Sequence, residues 1–487
     1  MLIYLILLLN ICCASLPWFV RRHQNMGAIN IAGHLAAFLL VLAQIIFFGA
    51  PGRLDGFFCA DALSLFFIFT IAVVNLAAAL YSKGYIADEV VEGLISEGSA
   101  RLYYSLFNVF TLSMFLVTLV ENLGLMWVCV EMTTLASAFL VGFHTTKKAI
   151  EAAWKYVMIC SVGIVLALVG VILFYYALNT GTGAKTLNWD DMLLHAGSLD
   201  PRIVKIAFIF ILVGYGTKAG LAPMHTWLPD AHSQALTPIS ALLSCVLLKT
   251  SAYAILRFMV ITNQAVGGSY AANLALLFGM ISLGVSAAFI LVQKDIKRLL
   301  AYSSVEHIGV IFVGIGIGGP VGAFGALYHV FNHAVTKALM FFAAGSAAKK
   351  YGTHSMRNIR GVIEAMPFTG AFLLLGVFAL GGLPPFSIFM SELTILSGAF
   401  AQGRYLVSGL FMFFLAVIFG ALVHHFSGVL FGEKPKEMAA GGEEPMGSKA
   451  AFILLGCLML ALGLGIPGFM AKLLRAAADI LSSPVGV

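Results

Sequence analysis

Apolar runs about as long as a bilayer is thick recur from one end of this sequence to the other. A helix needs ~20 mostly apolar residues to cross the hydrocarbon core. About fourteen such runs are legible, near 1–20, 28–49, 57–81, 103–120, 122–143, 154–179, 203–221, 236–262, 270–292, 299–318, 321–348, 366–400, 405–431 and 450–470. Lipid offers backbone groups no partner, so runs of this length satisfy themselves only as helices. The expected fold class is an all-α polytopic membrane protein. Composition narrows the function as well. Only 10% of the 487 residues are charged, against roughly 25% in soluble domains. So few charges cannot coat soluble domains, which excludes a soluble enzyme and a disordered scaffold and speaks against a nucleic-acid partner. The longest polar connections, 82–102, 180–202 and 432–449, leave no room for a large soluble domain. The last of them, GEKPKEMAAGGEEPMGSK, reads as a flexible loop.

The Lys and Arg residues between the runs set orientation. Connections after odd-numbered spans hold 17 of the 28 basic residues, and the other side holds 8. The excess predicts odd connections in the cytoplasm and both termini outside, in a multi-pass protein of the inner (plasma) membrane. The first run has no basic residues before it, and Arg21 and Arg22 follow it. It reads as a first span, not a cleaved signal peptide. The seven cysteines form no CxxC pair and lie mostly in apolar runs. They read as packing residues, and no cofactor is expected.

Three lysines remain, all inside apolar runs: Lys218, Lys249 and Lys337. Glu131, His307, His329, His333 and Glu392 are also placed inside, with His424 and His425 in the thirteenth run. A charge at mid-membrane costs ~2.5–3.5 kcal/mol. Paired charges that glue helices together are one explanation. Snorkelling fits poorly for Lys249, which lies deep in its run. Arg, which cannot release its proton, is absent from these positions, whereas an inert ion-pair network would use it freely. Glu131, Lys218, Lys249, His307, His329, His333, Lys337 and Glu392 therefore read as a proton relay. His329, His333 and Lys337 stand at i, i+4 and i+8 and line one stripe. No carboxylate or Cys joins the His pair on that helix, and Lys337 would repel a cation, so no metal is expected. His225 and His232, beside Pro223 and Pro229, read as satisfying local backbone, with a relay role left open.

Two runs are interrupted. The seventh has Gly214, Gly216 and Gly220 around Lys218, then Pro223; the twelfth has Gly381, Gly382, Pro384 and Pro385 before Glu392. Backbone freed by such breaks needs polar partners, so the breaks should line a polar interior. Breaks in corresponding positions of two halves point to a repeat. An offset of five spans makes that repeat inverted, with spans 4–8 and 9–13 as its units. The expected organisation is an N-terminal three-helix segment (1–102), a first repeat (103–262), a second repeat (270–431), and a loop with a C-terminal helix (432–487). Glu131 would then correspond to His307, Lys218 to Glu392, and Lys249 to His424 or His425.

Five stretches carry a family resemblance: LGLMWVCVEMTTLASAFLVG, GTKAGLAPMHTWLPDAHSQALTPISALLSCVLLKTSAYAILRF, QKDIKRLLAYSSVEHIG, YHVFNHAVTKALMFFAAG and GGLPPFSIFMSE. They cover the middle of the chain, about 121–400. The chain resembles the antiporter-like membrane subunits of respiratory complex I, Mrp cation/proton antiporters and membrane-bound hydrogenases. ENLGLMWVCVEMTTLAS and SSVEHIG are most similar to the hydrogenase-4 and formate hydrogenlyase component F branch. The resemblance implies a Glu131–Lys218 pair, Lys249 as the central relay, Glu392 as the terminal charge, and His307, His329, His333 and Lys337 as connecting positions. It also implies neighbouring membrane subunits and, through them, soluble redox subunits. Glu306 stands where many complex I members have serine or a similar small residue. The long lateral helix of the largest complex I subunit is not expected.

The function expected is proton translocation by a subunit without a redox centre. An Mrp-type sodium/proton antiporter subunit is the nearest rival. A stand-alone solute transporter and an inert membrane anchor stand further off.

Overall fold

The computed structural model describes residues 2–435 and 445–482. Lys436 and the middle of the 432–449 connection, read above as a flexible loop, lie outside the described residues. The chain is helical almost throughout. Helix α1 (Leu2–Ser15) runs into a 3-10 turn, and α2 (His23–Ala43) into a π turn that reaches Phe48. A short antiparallel hairpin, β1 (Gly52–Arg53) with β2 (Cys59–Ala60), leads to α3 (Ala62–Val91). Asp61 caps α3, its Oδ1 accepting from the Ser64 amide at 2.8 Å. The next helices are α4 (Glu97–Leu119), α5 (Leu123–Val141) and α6 (Lys147–Thr182), capped by Ser96, Asn122 and Thr146. Each such cap is worth about 1 kcal/mol.

A short α7 (Trp189–Leu194) precedes α8 (Pro201–Ala219), α9 (Leu228–Gln234), α10 (Thr237–Leu242) and α11 (Leu248–Val266). A π turn over Leu243–Leu247 joins α10 to α11 as one rod. Then come α12 (Tyr270–Leu291), α13 (Ile296–Ile317), the long α14 (Gly319–Tyr351), a one-turn α15 (Val362–Ala365), α16 (Pro367–Leu380) and α17 (Ser387–Ala401). The chain closes with α18 (Tyr405–Phe431), α19 (Met446–Leu464) and α20 (Gly468–Ser482). Among the described residues, 11 helical stretches are long and apolar enough to cross a membrane. α16 and α17 are shorter apolar helices.

Burial separates an inner set from an outer one. α3, the α10–α11 rod, α13 and α14 are buried on nearly every side. The outer helices instead show large apolar side chains to their surroundings, among them Phe139, Trp154 and Phe413. That is the distribution lipid selects. α20 has no counterpart in the apolar runs. Its Met470, Leu473, Leu474, Ala477 and Ala478 turn inward, and the helix packs on α3 and α14.

Both breaks are real, and their backbone groups find partners. α8 stops at Gly220, whose φ of +81° is left-handed. The Thr217 carbonyl then accepts from Trp227 Nε1 at 2.8 Å, and the Ala222 amide donates to Ser282 Oγ at 2.9 Å. Between α16 and α17, Gly382 takes φ +68°, and the Leu383 amide donates to the Phe378 carbonyl at 3.1 Å. A Cβ on Gly382 would collide with the Glu392 carboxylate, so glycine is required there twice over.

The two ends of the bundle differ. One holds the hairpin, the N-terminus (Tyr4 Oη donates to Asp55) and the start of α3. The opposite end holds ion pairs, exposed or partly buried: Lys155 with Glu151 and Asp230, Arg298 with Asp230, and Lys349 with Asp88.

Candidate functional site

Glu131 lies midway along α5, and Lys218 one residue before the end of α8. Among the described residues they form no direct ion pair. Thr134, one turn on from Glu131, joins them: its hydroxyl donates to Glu131 Oε2 at 3.1 Å and accepts from Lys218 Nζ. Lys218 also donates to the Val130 carbonyl at 2.9 Å, and Ser161 of α6 donates to Glu131 Oε1 at 2.9 Å. Lys218 is fully buried, whereas Glu131 is half-buried on the rim of the bundle.

The centre is built around the π turn. Lys249 Nζ donates to the Ser244 carbonyl at 2.6 Å, inside that turn. Ser244 Oγ meets Ser304 Oγ of α13 at 2.7 Å, and Ser304 donates to the Leu300 carbonyl. The same carbonyl accepts from Lys337 Nζ of α14 at 2.7 Å. Two serine hydroxyls and the carbonyls of Ser244 and Leu300 thus lie between the two central lysines. His232 of α9 donates Nδ1 to the Leu228 carbonyl at 2.9 Å, the local role expected of it. Its Nε2 has no partner among the described residues, and the ring lies within electrostatic reach of Lys249, Lys297 and Lys337.

The far end is a cluster from α13, α14 and α17. His307 Nδ1 and His329 Nε2 are 3.0 Å apart, and His329 Nδ1 is 3.0 Å from Ser391 Oγ. The His333 ring lies tilted against His307 with centroids 4.5 Å apart, and among the described residues neither of its nitrogens has a hydrogen-bond partner. Glu392 approaches from α17. One donor atom each from His307, His329 and Glu392 lies within 4.8 Å of the others. The sequence expectation of no metal rested on the lack of a carboxylate on α14; here a different helix brings one. A metal would have to break the direct His307–His329 contact. Glu306 accepts from Ser303 Oγ at 3.0 Å and stands 3.9 Å from His307 Nε2. It is buried at the edge of the same cluster.

Two basic residues of the connections, Lys297 and Arg257, are only 3% and 5% exposed and lie inside the bundle. Lys297 donates to the Ala235 carbonyl at 3.0 Å, and Arg257 is paired with Asp61. His424 and His425 do not join the cluster: His425 Nε2 meets the Ile290 carbonyl at 3.0 Å near the end of α12. His225 stands against Phe289 and Tyr302.

A membrane-crossing helical bundle with ionisable side chains strung through its interior defines the class: an antiporter-like membrane subunit. The family model described as NADH:quinone oxidoreductase/Mrp antiporter, transmembrane, matches residues 120–419. That is more than half of the chain, and the chain belongs to this family. The hydrogenase-4 component F homolog of Methylacidiphilum infernorum is 39% identical over 401 residues, 82% of this chain and 84% of that one. The resemblance to the component F branch is thus met. A chain of the membrane-bound sulfane sulfur reductase, an archaeal respiratory membrane complex, superposes with a TM-score of 0.86 at 26% identity, covering 99% of this chain and 97% of that one. A chain of respiratory complex I from Thermus thermophilus superposes at 0.83 with 24% identity over the full length of both, a likeness of fold.

Proposed function

We propose that this chain translocates protons within a complex I-like or group 4 hydrogenase membrane complex, carrying no redox centre of its own. The observation that carries this reading is the buried line of titratable groups from Glu131 to Glu392. Along it, several polar atoms lack a partner among the described residues: His232 Nε2, His307 Nε2, both His333 nitrogens, Thr336 Oγ1, Asn332 Oδ1 and Ser387 Oγ. A buried polar atom left without a partner costs ~1–3 kcal/mol. A row of them fits a hydrated relay.

Adding α8, α14 and the α16–α17 pair to the eleven long spans gives fourteen crossings. Two inverted five-helix units, 103–262 and 270–431, follow the N-terminal segment 1–102 and precede 432–487. The two broken segments support this division. The basic excess orients the hairpin end outward with both termini. Partner subunits perform the electron transfer. Glu131, half-buried on the rim, is where a neighbour's charge can act. Drawing Glu131 away from Thr134 and Lys218 lowers the proton affinity of Lys218, and its proton moves past His232 toward Lys249. Lys337 and the histidines carry it on, and Glu392 exchanges with the far side.

Lys218→Met in the whole complex tests the proposal: pumping stops while assembly and electron transfer persist. Undiminished pumping sinks it, and pumping that requires sodium in the presence of a protonophore selects the Mrp-type alternative.

A further inference from the structure

Lys249 sits on a second stripe that the relay does not use. Lys249, Tyr253 and Arg257 stand at i, i+4 and i+8 on α11. The stripe runs about 12 Å from mid-depth toward the hairpin end. Lys249 turns its Nζ the other way, onto the Ser244 carbonyl, and a path opened along this stripe would leak protons past the main one.

The stripe ends in a hydrogen-bonded knot. Arg257 Nη1 and Nη2 donate to the two oxygens of Asp61 at 2.6 and 2.7 Å, a bidentate pair. Nη2 also donates to Ser64 Oγ at 2.9 Å, and Nε to Tyr253 Oη at 2.9 Å. Tyr253 Oη donates in turn to the Thr118 carbonyl at 3.0 Å. The guanidinium lies 4.6 Å from the Trp189 ring centre and 4.9 Å from that of Tyr253, and Trp189 Nε1 donates to the Arg257 carbonyl at 2.9 Å. The knot gathers α3, α4, α7 and α11 into one closure.

Each part blocks a proton for its own reason. The tyrosine hydroxyl has its hydrogen committed to Thr118 and receives one from Arg257, so it cannot pass a proton on. Arg257 cannot give one up. Its charge is held by the Asp61 carboxylate, so neither partner offers an arriving proton a free site. We propose that the Arg257–Asp61–Tyr253 knot is an ionic plug that seals Lys249 from the hairpin side of the membrane. These are positioning and sealing residues, not carriers. The inference rests on the reading of Lys249 as a proton carrier.

The test uses the whole complex in proteoliposomes with an internal pH dye, an imposed potassium diffusion potential and no electron donor. Arg257→Gln and Asp61→Asn should each raise passive proton entry about tenfold. Adding Lys249→Met should return entry to the wild-type level. A mere staple would leave no leak, or a leak indifferent to Lys249, and either result overturns the plug. Asn caps helices as well as Asp, so Asp61→Asn preserves the start of α3 and decides the matter if Arg257→Gln does not assemble. Driven pumping that survives Lys249→Met would sink the carrier reading itself. Lys249-dependent pumping without a leak in Asp61→Asn sinks only the plug.

Discussion

Two stripes in the bundle share one spacing and opposite chemistry. On α14, His329, His333 and Lys337 stand at i, i+4 and i+8 among polar atoms that lack partners among the described residues. On α11, Tyr253 and Arg257 continue from Lys249 at the same spacing, but they end in the hydrogen-bonded contacts with Asp61, Ser64 and Thr118. Both stripes are buried. The difference teaches that burial of a polar residue does not by itself mark a carrier. A group that moves protons needs an accessible neutral form, and Arg257 has none.

The largest effect expected from this contrast is on stability. Arg257→Ala leaves Asp61 without its partner and should cost about 3–5 kcal/mol, read as a lower Tm of the helical circular-dichroism signal of the purified complex. An unchanged Tm would erase the contrast. Thr134→Val should cost about 1 kcal/mol and slow pumping severalfold, because the hydroxyl between Glu131 and Lys218 is gone. Thr134→Ser should restore the rate; if it does not, the bridge is incidental. The smallest stability change belongs to His333→Phe. Its ring nitrogens make no bonds among the described residues, so the shift should stay within about 1 kcal/mol while pumping falls sharply. A large stability loss with normal pumping would place His333 among the structural residues.

Much of the fold is legible in the sequence, because a helix in lipid must be apolar along its length. The breaks were legible too: glycine and proline at Gly220, Pro223, Gly382 and Pro384 have backbone consequences that do not depend on neighbours. The mid-helix charges from Glu131 to Glu392 stand out for the same reason. What escaped depends on which helix covers which. Lys297 and Arg257 lie near the ends of apolar runs, and only tertiary packing buries them. Ser244 and Ser304 look like ordinary small residues until the π turn brings them together. Thr134 could have been suspected from its place one turn after Glu131. α20 carries Lys472, Arg475 and Asp479, so no apolar run announced it.

The central claim is that protons cross through Lys249. The most direct test is the ratio of protons pumped to electrons transferred by the reconstituted complex carrying Lys249→Met. The account predicts that this chain's share of the ratio is lost while electron transfer continues. An unchanged ratio in a fully assembled Lys249→Met complex would contradict it.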